Sequence, residues 1–362
     1  MVFSIKKIMK LHYNNSHYTP RHRGQLFPLL KAFIKNENFT DEERQAMYQI
    51  SEDEIDFVGN MKDADICILT MSWNYYYNQN CIDDAKKYIK NANAEGKKVW
   101  TWMSGDFGVD LRFKGNYVIF RNSGHKSQLS NQHIGMPVFI SDPLKQIYNT
   151  TELLMPEYNS KPTVGFCGQA NLSFNRSLKE IMIRVSHKIN HQLGRTYNSP
   201  QPIQSTSLLR AKLLKKLEAS EFIKSNFIKR QKYRAGITEN KTKHKTTLEF
   251  YDNILESHYV LCVRGGGNFS VRFYETLAMG RIPIFINTDC LLPLANRIDW
   301  KNNCVWVENN DKEKIADKVI EFHQQHTKES LYQLMKENRE LWESRMRIGT
   351  FFKYIYDSKI NL

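Results

Sequence analysis

At 362 residues the chain is long enough for about two domains, and its 41% apolar and 25% charged residues exclude wholesale disorder, collagen-like and low-complexity classes. Lysine and arginine number 52 against 38 acidic residues, a formal +14, which points to an anionic partner: nucleic acid, an acidic membrane surface or a negatively charged small substrate. No run reaches the roughly 18 apolar residues of a membrane span, and the opening MVFSIKKIMKLHY lacks a signal peptide's apolar core, so a cytoplasmic location is expected.

In chain order, strands are expected at 5–13, 65–71 and 97–103, with a helix at 82–95 closed by Gly96. Apolar pieces follow at 117–120 and 137–140. A polar, proline-containing stretch then leads to a strand at 163–167. From 209 to 227 apolar residues recur at helical spacing with lysines between them, inside a segment, 210–245, that holds twelve Lys or Arg against three Glu. This +9 suggests peripheral contact with an anionic membrane or an acidic acceptor. Next come a strand at 258–263, a helix at 270–279, strands at 282–286 and 304–307, and helices at 311–326 and 328–345. Alternating strands and helices predict an α/β fold of two Rossmann-like domains facing a cleft: 1–157, then 158–335. A C-terminal helix, 336–362, is expected to pack back on the first domain. The six cysteines form no CxxC pair and read as reduced structural thiols, with no metal site.

The most informative stretch is 258–283, HYVLCVRGGGNFSVRFYETLAMGRIP. Glycines directly after a buried strand let the backbone turn tightly and approach a ligand. Ser270 is placed to cap the next helix, whose free N–H groups and positive dipole end suit a phosphate. Arg264 enters the loop, Arg272 lies in the helix's first turn where a cation needs an anionic partner, and Glu275 follows one turn on.

These residues resemble the signature of exostosin-type glycosyltransferases: Arg264-Gly265, Ser270-x-Arg272-x-x-Glu275, Gly280-x-Ile282-Pro283, Leu292-Pro293 and Asp299-Trp300. Gly165-Phe166-Cys167-Gly168 followed by Arg176 is similar to the family's F-x-G…R opening of the nucleotide-binding domain. The resemblance implies a GT-B architecture, a nucleotide-sugar donor (UDP-sugar favoured), a glycan or lipid-linked glycan acceptor in surface polysaccharide synthesis, inversion, and no cofactor or essential metal. It places the donor diphosphate on Arg264 and the Ser270 helix start, the ribose on Glu275, and Arg272 at the diphosphate or against Glu275. Gly265, Gly266, Asn268, Gly168 and Arg176 count as further donor contacts.

Inversion by direct displacement needs a base for the acceptor proton. Asp106, in SGDFG after the 97–103 strand, is the first candidate and His125 the second; Asp110 and Asp142 are weaker. The family's usual histidine after the aspartate is Phe107 here. Arg21 and Arg23 follow the first strand and suit an anionic donor or acceptor group. Asp63-Ala64-Asp65 spells D-x-D but precedes its strand, so it reads as a strand-entry turn. Two alternatives remain: a fucosyltransferase-like enzyme using a GDP-sugar and, from another class, a basic nucleic-acid-binding protein. The second would interleave aromatics with its cations, and 210–245 has only Phe222, Phe227 and Tyr233; no nucleic-acid partner is therefore expected.

Overall fold

The short β-branched and aromatic runs pair into two sheets, both wholly parallel, as their near-continuous apolar character requires. A computed structural model describes residues 8–35, 37–231 and 245–359. The first sheet contains β1 (Met9–Tyr13), β2 (Ile55–Phe57), β3 (Ile66–Ile68), β4 (Val99–Met103), β5 (Tyr117–Arg121) and β6 (His133–Gly135), in the order β2-β1-β3-β4-β5-β6. Its helices are α1 (Asp41–Tyr48), α2 (Trp73–Asn78), α3 (Ile82–Ala94) and α4 (Pro143–Tyr148). The second sheet contains β7 (Thr163–Gln169), β8 (Lys224–Arg230), β9 (Tyr259–Cys262), β10 (Ile282–Asn287) and β11 (Val305–Glu308), in the order β11-β10-β9-β7-β8. Around it lie α5 (Phe174–Gln192), α6 (Thr206–Glu218), α7 (Lys245–Leu255), α8 (Val271–Ala278) and α9 (Ile315–Gln324); α10 (Lys328–Arg345) and α11 (Ile348–Asp357) close the chain. Two parallel-sheet α/β units of this kind make the GT-B arrangement.

Period-two alternation sorts the second sheet's side chains onto two cores. Tyr259, Leu261 and Val263 of the β9 segment join Ile282, Ile284 and Ile286 beneath α6 and α9. Val260, Cys262 and Phe285 face the other way and pack with Phe273 and Leu277 of α8 into a core continuous with the first domain. The chain's end fastens that continuity. Phe352 of α11 lies 5.1 Å from Phe27, 5.7 Å from Trp100 and 5.2 Å from Phe120, ring centre to ring centre. A buried ion pair, Arg339 Nη2 to Asp142 Oδ2 at 2.7 Å, ties α10 to the cap of α4.

Three expectations change. The 137–140 piece forms no strand; β6 lies just before it, at His133–Gly135. The 209–227 periodicity does not make one helix: α6 stops at Glu218, its Leu213, Leu214 and Leu217 are buried, and the apolar residues 223 and 227 lie in or beside the edge strand β8. The leucines of α6 are thus spent on the core and offer no membrane face. Residues 232–244 of the basic segment lie outside the described residues. A division at 336 cuts through α10, so the C-terminal element is two helices, of which α11 carries the aromatic packing on the first domain.

Candidate active site

In the second sheet β7 and β9 are neighbours, yet β8 extends the sheet on one side and β10 on the other. The crevice beyond their carboxyl ends is therefore the switch point where ligands bind in open α/β sheets. Both motif loops open there: 170–173 after β7, and the RGGG loop 263–270 after β9. The hydrogen bond from Gly265 N to Phe269 O (3.0 Å) pinches the second loop closed.

Arg264 is 3% exposed. Its Nη2 donates to Gln201 Oε1, but Nε and Nη1 are buried with no hydrogen-bond partner, and it forms no ion pair among the described residues. Burial, with a smaller push from Arg184, lowers its pKa to about 10 against the opposing pull of Cys290 and Asp106. A buried guanidinium with two idle nitrogens is costly unless an anion completes it. Other cations crowd the same place. Arg184 Nη1 reaches from α5 to Gly266 O (3.0 Å), and Arg210 Nη2 to the Arg264 carbonyl (2.9 Å). Arg121, at the end of β5, is 7% exposed and bonds Ser123 O through Nε; burial lowers its pKa to about 10.

The first domain closes over this loop. A Cβ on Gly266 would stand 2.3 Å from Asp106 Oδ2, and one on Gly267 would stand 2.7 Å from the Asp106 carbonyl oxygen, so only glycine lets the two loops touch. His125 pairs as a lone antiparallel bridge with Cys290. Its Nδ1 is 3.9 Å from Asp289 Oδ2 and its Nε2 is buried without a partner. Burial first, then Arg264 and Arg121, hold its pKa below the ordinary value, against the opposing pull of Asp289. The structure thus brings Asp106 and His125 to the same loop as Arg264, Gly265 and Gly266. A cavity of about 510 Å³ opens at the edge of this seam, lined among others by Lys126, Asp289, Arg297, Lys301 and Trp306.

Several expected donor contacts are used differently. Asn268 is fully buried: its Nδ2 meets Gly124 O (3.0 Å), Thr288 O (2.9 Å) and Asp289 O (3.0 Å), and its N–H donates to Ser123 Oγ (2.8 Å). It clasps the two domains, with no amide hydrogen to spare for a ligand. Arg272 turns under the sheet, donating from Nη2 to Cys167 O (2.7 Å) and stacking 4.3 Å over Phe166. Gly168 leaves room for it, since a Cβ there would lie 2.7 Å from Arg272 Nη2. Ser270 occupies the N-cap position of α8 but its hydroxyl makes no capping bond. Glu275, half-buried, accepts from Tyr251 Oη (3.4 Å). Arg176 bonds the Gln231 carbonyl, and Arg23 bonds the carbonyls of Ile34 and Lys31, which takes Arg23 out of the cleft. Asp142 is removed as a base by its pair with Arg339, while Asp110 accepts from Ser199 Oγ (3.2 Å). The tail of the signature is architectural: Trp300 Nε1 donates to Pro293 O (2.9 Å), and Asp299 caps the turn that follows it.

Sequence reasoning missed Arg121, Arg184, Gln201 and Asp289. Arg121 left a signal, a cation ending the apolar run YVIF. The others approach from separate elements. Among the described residues, no group of three His, Cys, Asp or Glu is arranged to hold a metal ion, and all six cysteines are free.

Comparison with known proteins finds relatives over part of the chain. The family model described as "Exostosin GT47 domain" matches residues 197–321. Exostosin-1 of Drosophila melanogaster is 30% identical over 94 residues, 26% of this chain and 12% of that protein. A probable glucuronosyltransferase 47 A of Physcomitrium patens is 33% identical over 96 residues, 24% of this chain and 21% of that one. The Exostosin-1 homolog of Caenorhabditis elegans is 30% identical over 122 residues, 31% of each. The chain therefore spans less than a third of the length of these relatives. Among solved structures, TarM covers 82% of this chain and 54% of its own at 8% identity and a TM-score of 0.35. An O-GlcNAc transferase of Thermobaculum terrenum covers 98% and 67% at 11% identity and 0.36.

Proposed function

We propose that the chain, whose residues 197–321 match the exostosin GT47 domain model, transfers a sugar from a nucleoside-diphosphate donor to a glycan hydroxyl. The observation that carries this reading is Arg264: a buried cation, two of its nitrogens idle, at the switch-point crevice. A diphosphate supplies the acceptor oxygens it lacks. The donor's negative charge grows as the sugar leaves, and preorganised guanidinium groups of Arg264, Arg184 and Arg121 with the glycine-loop and α8 N–H groups stabilise it there. Glu275 would take the ribose hydroxyls.

In the chemical step the acceptor oxygen attacks the anomeric carbon as the carbon–oxygen bond to the diphosphate breaks. The bond's electron pair goes to the leaving phosphate oxygen, and the acceptor proton goes to a base, so the anomeric configuration inverts. Asp106 is our assignment for that base; His125, whose pKa burial lowers, is the other proton acceptor beside the loop. We assign charge neutralisation to the arginines, so turnover should survive chelation of divalent ions. A UDP-sugar donor, an acceptor in surface polysaccharide synthesis and action in the cytoplasm complete the reading. A donor-hydrolysis screen across UDP- and GDP-sugars tests it: release of one nucleotide, lost in Arg264→Ala and Glu275→Ala, is expected. Turnover of no nucleotide-sugar, or turnover indifferent to both substitutions, would refute it.

A further inference from the structure

We propose that the outward face of α5 is a docking surface for an anionic lipid bilayer, with the helix lying in the headgroup plane. The observation is independent of donor chemistry. α5 runs for 19 residues, about 28 Å at 1.5 Å per residue. Polar contacts and one ring stack fasten it to the body. Glu180 accepts from Ser205 Oγ (2.8 Å) and Ser207 Oγ, Arg184 donates to Gly266 O (3.0 Å), His187 stacks on Phe107 at 5.0 Å, and His191 Nε2 approaches Asp110 Oδ2 at 3.5 Å. These positions, 180, 184, 187 and 191, fall on one side of a 3.6-residue helix.

The other side is apolar and open. Leu178, Met182, Val185 and Ile189, with Leu193 just past the helix, recur three or four residues apart and are 36% to 63% exposed. An ordinary surface helix turns such a stripe inward; this one presents it to solvent. Its charges match an acidic surface. Lys179 and Lys188 flank the stripe on either side and Arg195 follows it, all exposed. Glu180, the helix's one carboxylate, is turned inward onto two serines. An apolar stripe bordered by cations is the pattern of a helix that lies in a membrane interface. A second copy of the chain fits worse, because pairing two such faces brings like charges together. The inner face of α5 holds the glycine loop through Arg184, so docking sets the crevice beside the bilayer, where an acceptor carried on a lipid is within reach.

The test is vesicle sedimentation of the full chain, with phosphatidylcholine vesicles and with vesicles containing about one-third phosphatidylglycerol. Binding to the anionic vesicles, weakened by salt and reduced on the order of tenfold or more in Met182→Asp/Ile189→Asp, is expected. The variant Lys179→Glu/Lys188→Glu should lose the preference for anionic lipid while keeping its wild-type unfolding midpoint. No binding by the wild type, or equal binding by both variants, overturns the proposal. Sedimentation equilibrium without lipid should give a monomer; a dimer dissolved by Met182→Asp/Ile189→Asp assigns the face to a second copy and also overturns it. Donor hydrolysis measured on the same samples separates failure of docking from failure of the transferase reading.

Discussion

Two helices flank the proposed donor crevice, one after each central strand, and they are built on opposite principles. α8 follows β9, is eight residues long, and buries Phe273, Tyr274, Thr276, Leu277 and Ala278. α5 follows β7, is 19 residues long, holds on by polar contacts and one ring stack, and leaves its apolar stripe in solvent. Apolar burial is what fixes an element against the core. The crevice therefore has one wall anchored in the interior and one wall addressed to the surface. The anchored wall carries Arg264 and the glycines; the surface wall reaches over them through Arg184.

The largest expected effect separates the walls. Phe273 is 1% exposed and packs 5.2 Å from Phe285 and from Trp300, so Phe273→Ala should cost about 3–5 kcal/mol in denaturant unfolding. Met182→Ala on α5 should stay within about 0.5 kcal/mol. Equal costs would erase the distinction. Next in size is Gly266→Ala, whose new Cβ meets the Asp106 carboxylate at 2.3 Å. Separating the loops should cost about 1–3 kcal/mol and lower kcat, read by unfolding and initial rates.

Acid sharpens the comparison at the strands themselves. His258 bridges β7 and β9: its Nδ1 accepts from Thr163 N (3.2 Å) and its Nε2 donates to Glu157 O (2.9 Å). Burial pushes its pKa down to about 4, below the ordinary value near 6.5. The unfolded chain thus takes up this proton first. The contribution is full above about pH 6.5 and is lost at up to roughly 1.4 kcal/mol per pH unit as pH falls toward 4. A pH series of unfolding free energies should show that slope, flattened in His258→Gln. The smallest effect belongs to the surface wall: Arg184→Met should change stability by less than about 1 kcal/mol yet raise KM for the donor.

What could be read in the sequence followed the same divide. The β9-α8-β10 unit was legible because its signals are local: an apolar run, three glycines, a helical pattern and a second apolar run, all between 258 and 286. The positions of Arg264 in the loop and Glu275 in the helix follow from it. The clasp role of Asn268 was not legible, because its partners Ser123 and Gly124 lie 145 and 144 residues away in sequence. Arg23 and Asp142 misled for the same reason: a loop cation or carboxylate shows its charge, while the carbonyls or arginine that absorb it come from elsewhere in the fold. In the basic segment, leucines at helical spacing gave α6 but could not show that their face was buried. The open apolar face belonged instead to α5, where an ordinary amphipathic pattern conceals which side is in contact.

Arg264 is the proposed seat of the donor diphosphate, and calorimetric titration of nucleoside diphosphates into the wild type and Arg264→Met tests that assignment most directly. The predicted result is binding by the wild type, weakened on the order of 30-fold in the variant, about 2 kcal/mol, with an unfolding midpoint unchanged or raised because an incompletely paired buried charge has been removed. Equal affinity in the two proteins would contradict it.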